Sequence, residues 1–184
     1  RLRTADNNAS RLAFLNSIYH AYYTYSYDSA MVYVNRGLAL AQSENNAYYT
    51  TLNQINRAAV LSTGGFYDQS EQLLEEIGKR GVPARLKQYY YYTQTWLYNY
   101  WEAFCNKSEF AGYYHKKKHE CLQLAVGATS SKDVALRAYL CGELAFMNSP
   151  LSKNVLKGYS MAVDNSPVNS RVHASAAYGI ARYY

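Results

Sequence analysis

The stretch Gly65-Phe66-Tyr67-Asp68-Gln69-Ser70 decides the fold, because a pattern like it recurs along the chain at a nearly constant distance. It opens a run in which apolar residues lie three and four positions apart as far as Ile77, which predicts a helix. A matching start, Tyr27-Asp28-Ser29-Ala30, lies 40 residues earlier, and further starts follow at Phe110 and Leu151, after offsets of 43 and 41 residues. A period of this length is typical of solenoids, in which each helix pair buries its apolar face against its neighbours.

The composition of the chain also indicates helices. Of the 184 residues, 49% are apolar and 17% are charged, and only three are proline. No sustained alternation of apolar and polar residues indicates strands. We therefore predict an all-α solenoid of antiparallel helix pairs, with about 4.5 repeats of roughly 40 residues. Residues 1–184 are expected to form a single helical-repeat domain, with units at about 9–46, 47–82, 83–128 and 129–165 and an incomplete unit at 166–184.

The second unit also carries a recognisable spacing of small and large residues. Ser70 is followed four positions later by Leu74, and Pro83 lies near the end of the unit. Ala30 and Val34 have the same spacing in the first unit. This pattern resembles tetratricopeptide repeats, although the period is about 40 residues instead of 34 and the Trp and Leu-Gly positions of that family have no clear counterparts. The resemblance implies stacked helix pairs that bind other molecules.

A narrower resemblance rests on three segments. They are Asp28-Ser29-Ala30, the tyrosine-rich third unit, and His173-Ala174-Ser175-Ala176-Ala177-Tyr178-Gly179-Ile180-Ala181. Together they are similar to the sensor regions of membrane-spanning transcriptional regulators of the Bacteroides type. That resemblance implies a periplasmic repeat array, followed in the whole protein by a membrane helix and a cytoplasmic DNA-binding part.

The first helix of the third unit has aromatic residues on every face. A helix that is apolar all round is normally buried on several sides. We therefore expect Trp101 and Phe104 to be buried between units. The three cysteines, Cys105, Cys121 and Cys141, fall inside helical patterns and are likewise expected to be buried thiols.

Tyrosine is the residue type that says most about function, since the chain contains 22 of them. A tyrosine ring can pack while its hydroxyl stays in water, which suits a binding surface. Most of these rings are expected in the core. Tyr91, Thr95, Tyr98 and Glu102 form a stripe at i, i+4, i+7 and i+11 on the third unit's first helix. We predict that they line a concave groove and bind a peptide, a partner protein or a sugar ring.

Metal binding and catalysis have little support in the sequence. His115 and His119 lie four residues apart on a predicted helix, which supplies half of a metal site, but Lys116, Lys117 and Lys118 lie between them and would repel a cation. No metal and no cofactor are predicted. The chain has no GxSxG motif, no HExxH motif and no phosphate-binding glycine loop, so it is predicted not to be an enzyme.

The net charge of +6 is unevenly distributed, because residues 1–78 carry −2 and residues 79–184 carry +8. The basic part could attract phosphate, sulfate or acidic protein surfaces, or it could be a solvated face. The lysine run and Lys107 could also contact nucleic acid, but no RNA-binding signature accompanies them. Direct contact of this fragment with nucleic acid is therefore not expected.

From these features we predict a non-catalytic repeat domain that binds a ligand or a protein. We interpret it as the periplasmic sensor part of a transcriptional regulator. The alternative is a cytoplasmic scaffold that binds a partner protein or peptide in the same groove, and a minor alternative is nucleic-acid binding through the basic C-terminal part. The chain has no starting Met and no apolar run long enough to span a membrane. We interpret it as a fragment that would contact a membrane only through other segments. Its incomplete last unit leaves an apolar face that a continuation of the chain or a homodimer could cover.

Overall fold

Nine α-helices account for most of residues 7–184, the part of the chain that the computed structural model describes. They are α1 (Asn8–Tyr22), α2 (Tyr27–Ser43), α3 (Ala47–Thr63), α4 (Tyr67–Arg80), α5 (Lys87–Phe104), α6 (Ala111–Ala128), α7 (Val134–Asn148), α8 (Lys153–Asp164) and α9 (Arg171–Tyr183). A short 3-10 turn, Ala84–Leu86, precedes α5. No β-strand occurs among these described residues, which confirms the predicted all-α fold. No helix within residues 7–184 is both long enough and apolar enough to cross a membrane.

The helices pack into two compact units, each larger than one repeat of the sequence. The first unit ends at Lys118, and the second unit runs from His119 to Tyr184. In the first unit α1 packs on α2, α2 on α3 and α3 on α4, and α5 packs on both α3 and α4. In the second unit α7 packs on α8, and α9 packs on both. These helices therefore pack on their neighbours in chain order, as the sequence repeat predicts, whereas α6 meets α5 mainly through side chains. A single domain over residues 1–184 stays a prediction.

In three of the four helix pairs, the second helix buries three residues with the same spacing, first four and then three positions apart. The triplets are Ala30, Val34 and Gly37 in α2, Ser70, Leu74 and Ile77 in α4, and Val155, Tyr159 and Ala162 in α8. At Gly37 a Cβ atom would lie 2.5 Å from Oδ1 of Asn53 in α3. Glycine is therefore needed there for α2 to approach α3 this closely.

Glycine turns fix both ends of α4. Gly65 before the helix has a φ of 83°, and Gly81 after it has a φ of 89°, in the left-handed region that favours glycine. The start of α4 lies beside the end of α5, because the Tyr67 ring contacts the rings of Trp101 and Phe104. Side chains from the start of α4 and from the end of α5 can therefore contribute to the same site.

The cysteines differ in exposure. Cys121 is buried in α6, as predicted, and Cys105 is partly buried at the end of α5. The prediction of burial is wrong for Cys141, which is exposed on α7. The helical pattern of α7 is correct, but Cys141 lies on the side of the helix that lines an open groove.

Candidate ligand-binding site

The third helix pair, α5 and α6, departs from the apolar packing of the other pairs at Lys118. Counted from the first residue of each helix, Lys118 in α6 occupies the position of Val34 in α2 and Leu74 in α4. Both of those residues are fully buried. The Lys118 side chain is only 15% exposed, and a charge so enclosed must be paired to be tolerated. Such departures from a repeat pattern are expected at functional positions.

Glu102 of α5 supplies the partner of this lysine. Its carboxylate accepts a hydrogen bond from Nζ of Lys118 and lies 2.7 Å from Nδ1 of His115. The amide oxygen of Asn99 lies 3.4 Å from the same lysine nitrogen. Burial raises the pKa of Glu102, but the hydrogen bonds and charges of Lys118 and His115 outweigh burial and bring this pKa below its ordinary value. Glu102 is therefore ionised at neutral pH and held beside two basic groups.

Five aromatic rings at the same end of the first unit form what we call the Trp101 stack, which consists of Tyr67, Tyr98, Trp101, Phe104 and Tyr114. The Trp101 ring is stacked between Tyr114, at 4.4 Å between centroids, and Tyr67, at 5.5 Å. Tyr98 stacks on Tyr114 at 6.4 Å, and Phe104 packs at a tilt against Tyr67 at 5.8 Å. Both faces of Trp101 are thus covered by protein rings, so Trp101 holds the stack together.

The ring surfaces that a ligand can reach lie at the margins of the stack. Phe104 is 76% exposed, and Tyr113, which packs edge-on against Tyr114 at 5.2 Å, is 53% exposed. The predicted burial of Phe104 is wrong, because Phe104 is the last residue of α5 and the helix pair no longer covers it there. Trp101 is partly buried, in keeping with its place inside the stack. Phe104 and Tyr113 are therefore the exposed rings of the site, although Nζ of Lys117 lies over the Tyr113 ring at 5.6 Å from its centroid.

Acidic groups border the stack on the side of α4. The hydroxyl of Tyr98 donates a hydrogen bond of 2.8 Å to Oε1 of Glu71. Burial raises the pKa of Tyr114, and the nearby acidic groups, among them Glu71 and Asp68, raise it further. The Tyr114 hydroxyl is consequently protonated over the neutral range. The site combines hydroxyl donors and carboxylate acceptors with exposed aromatic faces.

The four residues predicted to bind ligand lie on α5, but their surroundings differ. Tyr98 is a member of the Trp101 stack and is 4% exposed, and Glu102 is the neighbour of Trp101 in the chain. The hydroxyl of Thr95 donates to the backbone carbonyl of Tyr91 at 2.9 Å, and Thr95 is also buried. Tyr91 is partly exposed and packs edge-on against Tyr90. Ligand contact by these four residues stays a prediction, with Tyr91 and Glu102 the two that have accessible surface.

Sequence reasoning did not single out Tyr67, Tyr113, Tyr114 or Lys118 as site residues. Tyr67 begins a repeat, so its position was known, but nothing local indicates that it meets α5. The sequence did contain a signal that Lys118 occupies an unusual position. Aligning the second helices by their repeat places a lysine of the 116–118 run at a core position, and that conflict marks the third pair as unusual.

The histidines of α6 have separate partners. His115 pairs with Glu102, and Nε2 of His119 lies 2.9 Å from Oδ1 of Asn148. Within residues 7–184, no three side chains of His, Cys, Asp or Glu come close enough together to hold a metal ion. The chemistry that the site offers is hydrogen bonding and ring stacking.

Comparison with known proteins places the chain in a family. A family model described as the SusR N-terminal TPR domain matches residues 1–184. A comparison with curated proteins finds none that is significantly similar to the chain. The family match agrees with the stacked helix pairs and confirms the tetratricopeptide-like solenoid class and the resemblance to Bacteroides-type regulators. The chain therefore belongs to the family of SusR N-terminal tetratricopeptide repeat domains.

Proposed function

We propose that this domain is the ligand-sensing part of a SusR-type transcriptional regulator, and that it binds an oligosaccharide at the Trp101 stack. The observation that carries the proposal is the pair of exposed rings, Phe104 and Tyr113, at the margins of an aromatic stack bordered by carboxylates. Family membership supports the regulatory role, and the site supports the class of ligand.

The chemistry of a sugar ring matches this site. One face of a pyranose carries C–H groups that pack on an aromatic ring, and its edge carries hydroxyl groups that need hydrogen-bond partners. Phe104 and Tyr113 supply the rings, and the carboxylates of Glu71 and Glu102 supply acceptors. Lys118 and His115 can donate, although both already contact Glu102.

The charge of the site favours a neutral ligand. Glu102 carries a negative charge that Lys118 largely balances, so the two contribute almost no net charge. A charged ligand would have to displace one partner of this pair, which leaves the other partner in a mostly enclosed position without compensation. A polyol needs no such displacement.

In this proposal the domain is periplasmic, binds its ligand without catalysis, and contacts neither nucleic acid nor the membrane by itself. The support is the similarity to sensor regions that precede a membrane helix. Binding of a protein or peptide partner and self-association as a homodimer remain predictions.

Isothermal titration calorimetry with α-linked and β-linked glucose hexasaccharides tests the proposal. We expect one of these oligosaccharides to bind, and the variants Phe104→Ala and Tyr113→Ala each to weaken its affinity about tenfold, because a stacked ring contributes about 1 kcal/mol beyond its buried area. The folded state of each variant is checked by circular dichroism.

Tyr178→Ala is the matched control, because Tyr178 is similarly exposed but lies on α9 in the other unit. It should bind as the unmodified chain does. The proposal fails if neither oligosaccharide binds, or if both ring variants retain full affinity while folded.

A further inference from the structure

A groove runs between α7 and α8 in the unit from His119 to Tyr184, and the sequence did not indicate it. Its volume is about 360 Å³, within the range of small-molecule sites. One side is lined by Val134, Arg137, Ala138 and Cys141 of α7, and the other by Lys157 and Met161 of α8. The lining residues of each helix recur every three or four positions, so the groove follows the seam between the two helices.

Small residues at the helix crossing explain why the groove exists. A Cβ atom on Gly158 would lie 2.7 Å from Cα of Gly142 and 3.0 Å from the carbonyl oxygen of Ala138. The two backbones therefore touch at this crossing. Val134 and Met161 line the groove beside this crossing, and Met161 is 45% exposed. The floor of the groove is therefore apolar and combines a close backbone contact with the side chains of Val134, Ala138 and Met161.

The charged groups of the groove are all positive. Nη1 of Arg137 donates to the backbone carbonyls of Val126 and Thr129, each at 3.2 Å, which fixes the guanidinium at the end of α6. Lys157 is exposed, and within residues 7–184 neither Lys157 nor Arg137 forms an ion pair. No Asp or Glu lines the groove. Two cations beside an apolar floor, with no acid to balance them, form a site that is complementary to an anion.

We propose that this groove binds a small organic anion with an apolar body, of the class of aryl-substituted carboxylates. The apolar body lies over Val134, Ala138 and Met161, and the carboxylate lies between Arg137 and Lys157. A guanidinium with a fixed orientation is suited to a carboxylate because their geometries match. The proposal is independent of oligosaccharide binding, because the groove lies in the other unit and selects charge, whereas the Trp101 stack favours a neutral ligand.

Cys141 provides a direct readout of occupancy, since its exposed thiol lines the groove. The probe is 4-phenylbutyrate, compared with the neutral 4-phenylbutan-1-ol and with acetate, which lacks the apolar body. Alkylation by N-ethylmaleimide is followed at each cysteine separately by peptide mass spectrometry. We expect saturating 4-phenylbutyrate to slow alkylation at Cys141 about fivefold or more while Cys105 reacts as before, and the alcohol and acetate to protect far less.

Variants on α8 test the role of charge. Lys157→Glu should weaken 4-phenylbutyrate binding about tenfold in calorimetry, because attraction becomes repulsion. Lys153→Glu is the matched control, since Lys153 is an exposed lysine of the same helix that does not line the groove. It should change the affinity little, and circular dichroism confirms that both variants fold.

Three results would overturn the proposal. The first is an alkylation rate at Cys141 that 4-phenylbutyrate leaves unchanged, and the second is equal protection by the neutral alcohol. The third is an equal loss of affinity in Lys157→Glu and Lys153→Glu, which would show that the anion responds to overall charge and not to the groove. Phe104→Ala should leave binding of 4-phenylbutyrate intact, which separates this test from that of the oligosaccharide site.

Discussion

Single glycines set helix distances in this chain, and Gly158 is the clearest case. Its missing side chain lets α8 touch the backbone of α7 at Gly142. Tyr159, the next residue, is fully buried, and its ring leaves no room for a Cβ atom at Gly142 or Gly179. The size of residue 158 therefore limits how closely α8 can approach α7.

Gly158→Ala should lower the free energy of unfolding by about 1–3 kcal/mol, because the added methyl group forces two backbones apart. Gly127→Ala is the control, since a Cβ atom there would meet no atom within 4 Å. Near the C-terminal end of α6 that change should leave the stability unchanged or raise it by up to about 0.5 kcal/mol. Urea denaturation measures both, and an equal effect of the two substitutions would contradict the close contact of α7 and α8.

Glu102 links the stability of the chain to pH. Its pKa is lowered in the folded state, so the ionised carboxylate stabilises the fold at pH values above the ordinary glutamate pKa. This contribution is lost as the pH falls through the lowered pKa of the folded state.

Glu102→Gln should therefore destabilise the chain at pH 7, and the difference from the unmodified chain should narrow as the pH falls below about 4. Thermal unfolding at a series of pH values measures this difference. The exposed Glu109 provides the control, and Glu109→Gln should have little effect at any pH. A difference for Glu102→Gln that does not change with pH would show that the carboxylate charge is not responsible.

At the scale of helices, the repeat in the sequence located the elements well. α2 and α4 begin at Tyr27 and Tyr67, where the repeat was placed, and α6 begins one residue after Phe110. Helix starts are predictable because capping residues and apolar spacing are local properties. Exposure is harder to predict, since it depends on which helix covers which face. For that reason the exposure of Phe104 and Cys141 was missed.

The candidate site was predictable only in part, because the sequence pattern does not show which helices pack against each other. Periodicity placed Tyr98 and Glu102 on one face of α5, and Tyr98 is indeed part of the Trp101 stack, with Glu102 next to Trp101 in the chain. The partners that give them their environment, Glu71, Tyr114 and Lys118, come from α4 and α6. Contacts between helices depend on packing distances that no local pattern in the sequence contains.

Arg182 connects the last helix, α9, to two neighbouring helices. Nη2 of Arg182 donates to the Tyr159 hydroxyl at 2.8 Å and to Oε1 of Glu143 at 3.1 Å, and its guanidinium lies 3.9 Å from the centroid of the Phe146 ring. Tyr159 in turn donates to Glu143 at 2.8 Å. Burial and the neighbouring carboxylate of Glu143 both raise the pKa of Tyr159, so its hydroxyl remains a donor. This network joins α7, α8 and α9.

Arg182→Met should therefore loosen α9 in particular. We expect a loss of about 1–2 kcal/mol in stability, since a charge-assisted hydrogen bond and a cation–π contact disappear while the apolar stem is kept. Amide hydrogen exchange should rise in residues 171–183 more than in α7. The exposed Tyr178 of the same helix is the control, and Tyr178→Ala should leave exchange nearly unchanged. Equal exchange in Arg182→Met and in the unmodified chain would show that other contacts hold the helix.

At the scale of the whole molecule, each compact unit carries its own candidate site. The Trp101 stack and Glu102 lie in the unit that ends at Lys118, and the cationic groove lies in the unit from His119 to Tyr184. The two sites also differ in chemistry, because one offers aromatic faces with balanced charge and the other an apolar floor with two cations. The two proposals together describe a domain that binds two unrelated kinds of molecule.

The aromatic content of α5 gives the chain a built-in optical reporter. The only two tryptophans in the sequence, Trp96 and Trp101, both lie in this helix. Tryptophan emission of the domain therefore arises from α5 alone, and the unit from His119 to Tyr184 contributes none. Trp101 lies within the stack, whereas Trp96 packs with the rings of Tyr92 and Tyr100 on the same helix. Selective excitation of tryptophan thus reports on the surroundings of the candidate sugar site without any attached dye.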